Sequence, residues 1–250
     1  MRTIALIQAR MGSTRLPGKT LRKIKGKTLI EIMLNRLEKC KNIDKIIVAT
    51  SSEENNNILE KHVKDLGYYC FRGSENDVLD RFYKAIEKEK CDYIVRLTAD
   101  CPLIDPLLID KVIQKTIDSD RDYGSNISPG KESFPDGQDT EVFKYKLLED
   151  AWCKAKLSSE REHVTPYLRT NLGVLYTNMS YVNDINFSHI RMTVDTKEDF
   201  ETIALLVNEL GLFSSWADYT NFIIKQPEKF HNQDIIRNEG LQISLLNDKK

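Results

Sequence analysis

Four times in the first 120 residues, a short apolar run gives way to a stretch with helical periodicity, and few folds accommodate that alternation. The runs are Ile4–Ile7, Lys45–Thr50, Tyr68–Phe71 and Tyr93–Leu97. They are too short for helices, and the first is continuously apolar, which predicts strands buried on both faces. Leu29, Ile30, Met33, Leu34 and Leu37 recur at helical spacing and predict a helix over 28–40. Ile58, Leu59, His62, Val63 and Leu66 predict a second helix, stopped by Gly67. Val78, Leu79, Phe82 and Ala85–Ile86 predict a third, with Asp77 near its start, and Leu108, Ile109, Val112 and Ile113 a fourth. The order predicts an α/β protein with a mainly parallel central sheet, right-handed crossovers and helices on both faces. Ligands of such sheets bind outside the carboxyl ends of the strands. The polar segments Gln8-Ala9-Arg10, Thr50-Ser51-Ser52, Arg72-Gly73-Ser74 and Thr98-Ala99-Asp100 follow the strands and converge on that edge.

The loop after the first strand has the character of an anion site. Arg2, Arg10, Arg15, Lys19, Arg22, Lys23, Lys25 and Lys27 all precede the first acidic residue, Glu31. Met11, Gly12 and Ser13 offer backbone N–H groups that oxygens can approach closely, and Arg10, Arg15 and Lys19 offer cations suited to phosphate. The loop is not a P-loop, because Gly12 and Gly18 stand one residue too far apart. The expected anion is the triphosphate of a nucleotide.

Asp100 ends the fourth strand, where a carboxylate beside a triphosphate is a natural Mg²⁺ ligand. Asp195, ending the strand-like IRMTVD run, is the expected second ligand, with helix capping as its plainer role. Asp136, Asp139 and Glu141 in PDGQDTEVF form a second polar group with Arg161, Glu162 and His163, suited to the hydroxyls or carboxylate of another substrate. Cys101 has no His arrangement that would make it a nucleophile. Beyond residue 120 the pattern loosens: 124–140 reads as a long loop, 141–143 as a strand, 146–157 and 159–169 as helices, Val174–Tyr181 and Ile190–Val194 as strands, and 199–210 as an amphipathic helix.

The net charge of −1 argues against a general nucleic-acid binder. Five widely spaced cysteines without a C-x-x-C favour reduced thiols in the cytosol. No apolar run approaches the ~20 residues of a membrane span, and the N-terminus does not read as a signal peptide.

IQARMGSTRLPGK, FRGSENDVLDRFY, VRLTADCPLID, FPDGQDTEVF, SEREHVTPY and RMTVDTKEDF occur in this order within about residues 3–210. The ordered set resembles the cytidylyltransferases of the spore coat polysaccharide biosynthesis protein F type and, more distantly, CMP-Kdo and CMP-N-acylneuraminate synthetases. The resemblance implies a Rossmann-like, GT-A-like nucleotidyltransferase fold over 1–213, and the weakly patterned 214–250, which it does not cover, reads as a helical or partly disordered tail. It implies transfer of CMP from CTP to a sugar, sugar acid or phosphorylated acceptor, with Mg²⁺, in a cytoplasmic homodimer. Arg10, Arg15, Lys19 and Asp100 would be catalytic, and Arg10, Ser13, Arg15 and Lys19 would hold the triphosphate, with Met11 and Gly12 in the same loop. Gln8, Ala9, Thr50, Ser51, Arg72, Asp77 and Thr98 would complete the nucleotide site. Asp100 and Asp195 would hold the metal, and Asp136, Gly137, Asp139, Glu141, Arg161 and His163 would face the acceptor. Ala99 stands where such enzymes often have Gly, and Met11 where CMP-sugar synthetases often have Tyr or Gly, so acceptor identity does not carry over. A different nucleotide, a glycosyltransferase-like protein and a non-catalytic nucleotide sensor are the competing readings.

Overall fold

The structure is a computed structural model that describes residues 1–127, 133–170, 176–178, 186–235, 237 and 239–248. β1 (Thr3–Gln8) lies mid-sheet, parallel to β4 (Lys45–Ser51) on one side and β6 (Tyr93–Thr98) on the other. β5 (Tyr69–Gly73) extends the parallel sheet beyond β4. On the other flank β8 (Glu141–Lys144) runs antiparallel to β6, followed by β7 (Tyr123–Ser125) and β9 (Tyr176–Asn178). The seven-strand order is β5-β4-β1-β6-β8-β7-β9. β7 was not expected from the sequence, and two of its three residues, Gly124 and Ser125, fall where a loop was expected from 124. Of the strand expected over Val174–Tyr181, only 176–178 lie within the described residues.

Side-chain alternation builds two cores. Ala5, Ile7, Val48, Val95 and Leu97 pack against α1 (Leu29–Leu37), α2 (Asn57–Asp65) and α4 (Pro106–Asp118). Ile4, Leu6, Ile47, Ala49 and Ile94 pack on the opposite face against α3 (Val78–Ile86), α5 (Tyr145–Lys154), Val164 and α7 (Pro166–Thr170), and α6 (Ser158–His163) lies against α3. The single helix expected over 159–169 is two, because Val164 adopts φ 69° just before Pro166. β2 (Lys23–Ile24) and β3 (Lys27–Thr28) form a small hairpin turned by Lys25 and Gly26, both with positive φ, where the sequence showed only basic residues.

A third core gathers Leu16, Leu29, Leu103, Met192 and Val194 with α8 (Lys197–Leu210) and α9 (Trp216–Lys225). Tyr219, Ile223 and Phe230, which lie beyond the division expected at 213, are buried in this core. The last described helix is α10 (Glu239–Asn247). Residues 190–194 form no regular strand. They run as an extended segment bridged to Asp136, and the Val194 N–H donates to the Asp100 carbonyl at 2.8 Å. That bond carries Asp195 to the strand ends.

Candidate active site

β1 and β6 end side by side, with the Ala99 N–H donating to the Gln8 carbonyl at 2.9 Å, so their loops leave the sheet together. The β1 loop is braced at both shoulders. The Met11 N–H donates to Asn56 Oδ1 at 2.9 Å, and Thr20 Oγ1 donates to the Arg10 carbonyl at 3.1 Å. Gly18, at φ 67°, closes the turn on the Met11 carbonyl and aims Lys19 inward. The Lys19 ammonium then sits 3.3 Å from Asp100 Oδ2, 2.9 Å from Asp195 Oδ1 and 2.7 Å from the Val194 carbonyl. Burial pulls the Lys19 pKa down, but Asp100 and Asp195 outweigh it and hold it above the ordinary lysine value. Burial pushes Asp195 up, yet Lys19, Arg15 and Arg191 hold its pKa below the ordinary range. Arg15 reaches Asp195 at 3.2 Å.

Two adjoining cavities meet at these residues. A smaller one of about 230 Å³ is walled by Ala9, Gly12, Ser13, Thr14, Lys19 and Thr20. A larger one of about 710 Å³ extends past Arg96, Asp136, Asp139, Glu141, His163 and Arg169. Gln8, Arg10, Arg15, Thr98, Asp100 and Asp195 line both. Gln8 Oε1 is buried there with no hydrogen-bond partner among the described residues.

The expected acceptor carboxylates do line the large cavity, but each is matched by arginine. Arg191 donates to Asp136 at 2.8 Å, to Asp199 at 2.8 Å and to Asp195 at 3.0 Å. Arg237 pairs with Asp139. Glu141 accepts from Arg96 at 2.6 Å and also from Arg169 and the Tyr123 hydroxyl. Burial opposes charge on Glu141, but Arg169 and Arg96 prevail and bring its pKa down to about 2. Burial and the neighbouring Asp139 raise Asp136 to about 7. Burial also lowers the His163 pKa, favouring a neutral ring, and pushes the Cys101 thiol well above its ordinary value, consistent with an inert core thiol.

Seven expected site residues line neither cavity. Met11 is partly buried and packs against the first core. Thr50 and Ser51 are buried and hydrogen-bond Asn56, so they support the β1 loop from behind. Arg72 faces α2, bonding the Ser51 and Glu53 carbonyls and Glu60 at 2.9 Å. Asp77 caps α3 and pairs with Arg161 at 2.6 Å, which spends both side chains on joining α3 to α6. Gly137, at φ 101°, packs its Cα against the Met192 backbone. The sequence reading missed Asn56, Arg191 and Arg169. A charged residue inside the apolar IRMTV run is the one signal that pointed to Arg191.

A parallel sheet with a cationic loop after its first strand, facing two carboxylates at the strand ends, defines an α/β protein of nucleotide chemistry. Residues 4–230 match the cytidylyltransferase family, and the chain belongs to it. It is similar to the spore coat polysaccharide biosynthesis protein SpsF of Bacillus subtilis, 41% identical over 213 residues, 82% of this chain and 86% of that one. It is also similar to a 3-deoxy-manno-octulosonate cytidylyltransferase of Brucella ovis, 34% identical over 129 residues, half of each chain. A solved cytidylyltransferase of Leptospira borgpetersenii superposes with a TM-score of 0.86 at 35% identity, covering 95% of this chain and all of that one. The chain is a CTP-dependent nucleotidyltransferase with the Rossmann-like fold of that family. Among the described residues no helix is long and apolar enough to cross a membrane.

Proposed function

We propose that this enzyme transfers CMP from CTP to an oxygen of a sugar, sugar acid or phosphorylated acceptor and releases pyrophosphate. The observation that carries the reading is the convergence of Lys19, Arg15, Asp100 and Asp195 where the two cavities meet. The triphosphate occupies the smaller cavity, held by the Gly12–Ser13 turn and by Arg10, Arg15 and Lys19. The acceptor occupies the larger one.

A divalent cation, Mg²⁺ in this reading, fits Asp100 and Asp195. A cationic nitrogen already lies within 3.3 Å of both carboxylates and of the Val194 carbonyl. Among the described residues no three His, Cys, Asp or Glu side chains group to hold a metal. Two carboxylates completed by phosphate oxygens and water suit Mg²⁺. Bound there, the ion would offset charge developing on the transferred phosphoryl group. Arg15 and Lys19 bind the leaving pyrophosphate and counter its charge, and the Gln8 carboxamide oxygen accepts a hydrogen bond from the nucleoside. Arg96 and Arg169, held by Glu141, orient the acceptor. No protein nucleophile is needed.

The role in surface polysaccharide or glycoconjugate synthesis is supported by the likeness to SpsF, and the cytoplasmic location and the homodimer belong to the same proposal. Incubation with each of the four NTPs, Mg²⁺ and a panel of sugars, sugar acids and sugar phosphates, followed by pyrophosphate release, tests it. CTP-specific release that depends on one acceptor class is the expected result. Release with another NTP in preference to CTP overturns it.

A further inference from the structure

The larger cavity has a second end. There α10 contributes Gly240, Leu241, Gln242 and Leu245 to the wall. This helix lies beyond residues 4–230, the part that matches the family. It is held against α6 on one face. Ser244 Oγ donates to Glu162 at 3.0 Å and lies 3.1 Å from His163 Nε2, and the Ser159 N–H donates to Asp248 Oδ1 at 3.3 Å.

Leu241 and Leu245 are one helical turn apart and therefore share a face. Both line the cavity, and Leu245 keeps 43% of its surface exposed. The polar groups of the cavity sit differently. Arg96, Asp136, Asp139, Glu141 and Arg191 lie on β6, on β8 and in the segments around 136 and 191. The cavity is thus ionic where the sheet lines it, while α10 brings two leucines to it beside Gln242. A ligand that fills both parts has a polar, hydroxyl-rich body and an apolar substituent.

Resting on the cytidylyltransferase reading, we infer that α10 is the acceptor-selecting wall of this enzyme. Leu241 and Leu245 receive an apolar group, a deoxy-carbon methyl or the methyl of an N-acyl substituent, borne by the acceptor away from its attacking oxygen. The two leucines touch the acceptor and take no part in bond making.

The test uses acceptors in matched pairs. Each pair has one sugar acid with an N-acetyl or deoxy-methyl substituent and its counterpart with a hydroxyl there. N-acetylneuraminate with its 5-hydroxy analogue is one such pair, and 6-deoxy against 6-hydroxy hexose phosphates is another. The ratio of kcat/KM within a pair is measured for the full-length wild type, for Leu241→Asn/Leu245→Asn and for the conservative Leu241→Ile/Leu245→Met. A buried apolar group typically discriminates by ~10–200-fold. The wild type should favour the apolar member at least ~10-fold. The Asn variant should bring the ratio to near unity, and the conservative variant should keep the preference. Because each ratio compares two acceptors on one protein, a general loss of folded enzyme cancels. Turnover with equal ratios in wild type and Asn variant, or a wild-type preference for the hydroxyl member, overturns the role of α10 alone. Absence of CTP-dependent pyrophosphate release with every acceptor instead overturns the underlying reading, and this inference with it.

Discussion

The ammonium nitrogen of Lys19 lies 2.9 Å from Oδ1 of Asp195, joining the first loop of the chain to a carboxylate 176 positions later. Only 13% of the Lys19 side chain is exposed, and it lies where a divalent ion would bind. Lysine and metal are therefore rivals for the same oxygens until a triphosphate draws the lysine away. Lys19→Met should bind Mn²⁺ more tightly than wild type when no nucleotide is present, as read by titration calorimetry or Mn²⁺ resonance. The same variant should lose ~10²–10³-fold in kcat, the size of one preorganised donor removed. Unchanged Mn²⁺ affinity without nucleotide would show that Lys19 does not compete with the ion.

Asp100 contributes to the fold through its backbone, since its carbonyl accepts from the Val194 N–H, while its side chain is partly open to the cleft. Asp100→Asn should accordingly keep the melting temperature within a few degrees and lower pyrophosphate release by about 10²-fold or more. A variant that retains turnover would remove Asp100 from the metal assignment. One that unfolds would show that its charge serves stability.

Gln8 offers a different kind of loss. Its buried Oε1 has no partner among the described residues, so Gln8→Leu strands none of them. A single hydrogen bond contributes ~1 kcal/mol net. The KM for CTP should rise about 5–10-fold with little change in kcat, and steady-state kinetics at saturating acceptor would show it. An unchanged KM would mean that the nucleoside does not use this oxygen.

The parallel half of the sheet was legible because its strands are apolar on both faces, and the β1 loop because eight cations precede the first acid. The same logic found Asp100 and Asp195, each at the end of an apolar run. It failed where a residue's role depends on partners remote in sequence. Arg72 follows a strand as a ligand residue would, yet Glu60 and two carbonyls turn it toward α2. Arg161 and Asp77 both looked free to bind a substrate until the fold placed them 2.6 Å apart. Arg191 showed the reverse: its one local signal is a charge inside the apolar IRMTV run, and the carboxylates that meet it, Asp136 and Asp199, lie 55 and 8 positions away. α9 was hard to place because it buries few apolar residues, Tyr219 and Ile223 among them, and its signal depends on the core it enters.

Gly137 gives a stability prediction with a geometric cause. A Cβ there would stand 2.6 Å from the Met192 carbonyl carbon, on a residue at φ 101°. Neither the backbone opposite nor the dihedral can yield cheaply. Gly137→Ala should cost at least ~1–3 kcal/mol and disturb the Asp136–Arg191 pair next to it, whereas Gly26→Ala, with open space around its Cβ, should lose only the dihedral preference. Urea midpoints of the two variants would separate the effects, and equal midpoints would count against the clash.

Glu141 sets the acid limit of the fold. Arg169 and Arg96 hold its pKa at about 2 although burial opposes them, so the carboxylate is favoured in the folded state. A depressed carboxyl pKa contributes stability above its unfolded value, ~4.3, and that contribution fades as pH falls from there toward 2. The contribution at neutral pH is on the order of 3 kcal/mol. Glu141→Gln removes it and leaves two guanidinium groups short of their counter-charge, a loss of ~3–5 kcal/mol for a broken buried pair. The variant should therefore be much less stable than wild type at pH 7. Its stability should fall less steeply between pH ~4.5 and 2, because Asp195 and Asp199 still titrate while residue 141 no longer does. Urea unfolding at a series of pH values measures both slopes. Parallel curves at all pH values would mean that Glu141 does not ionise differently in the folded and unfolded chains.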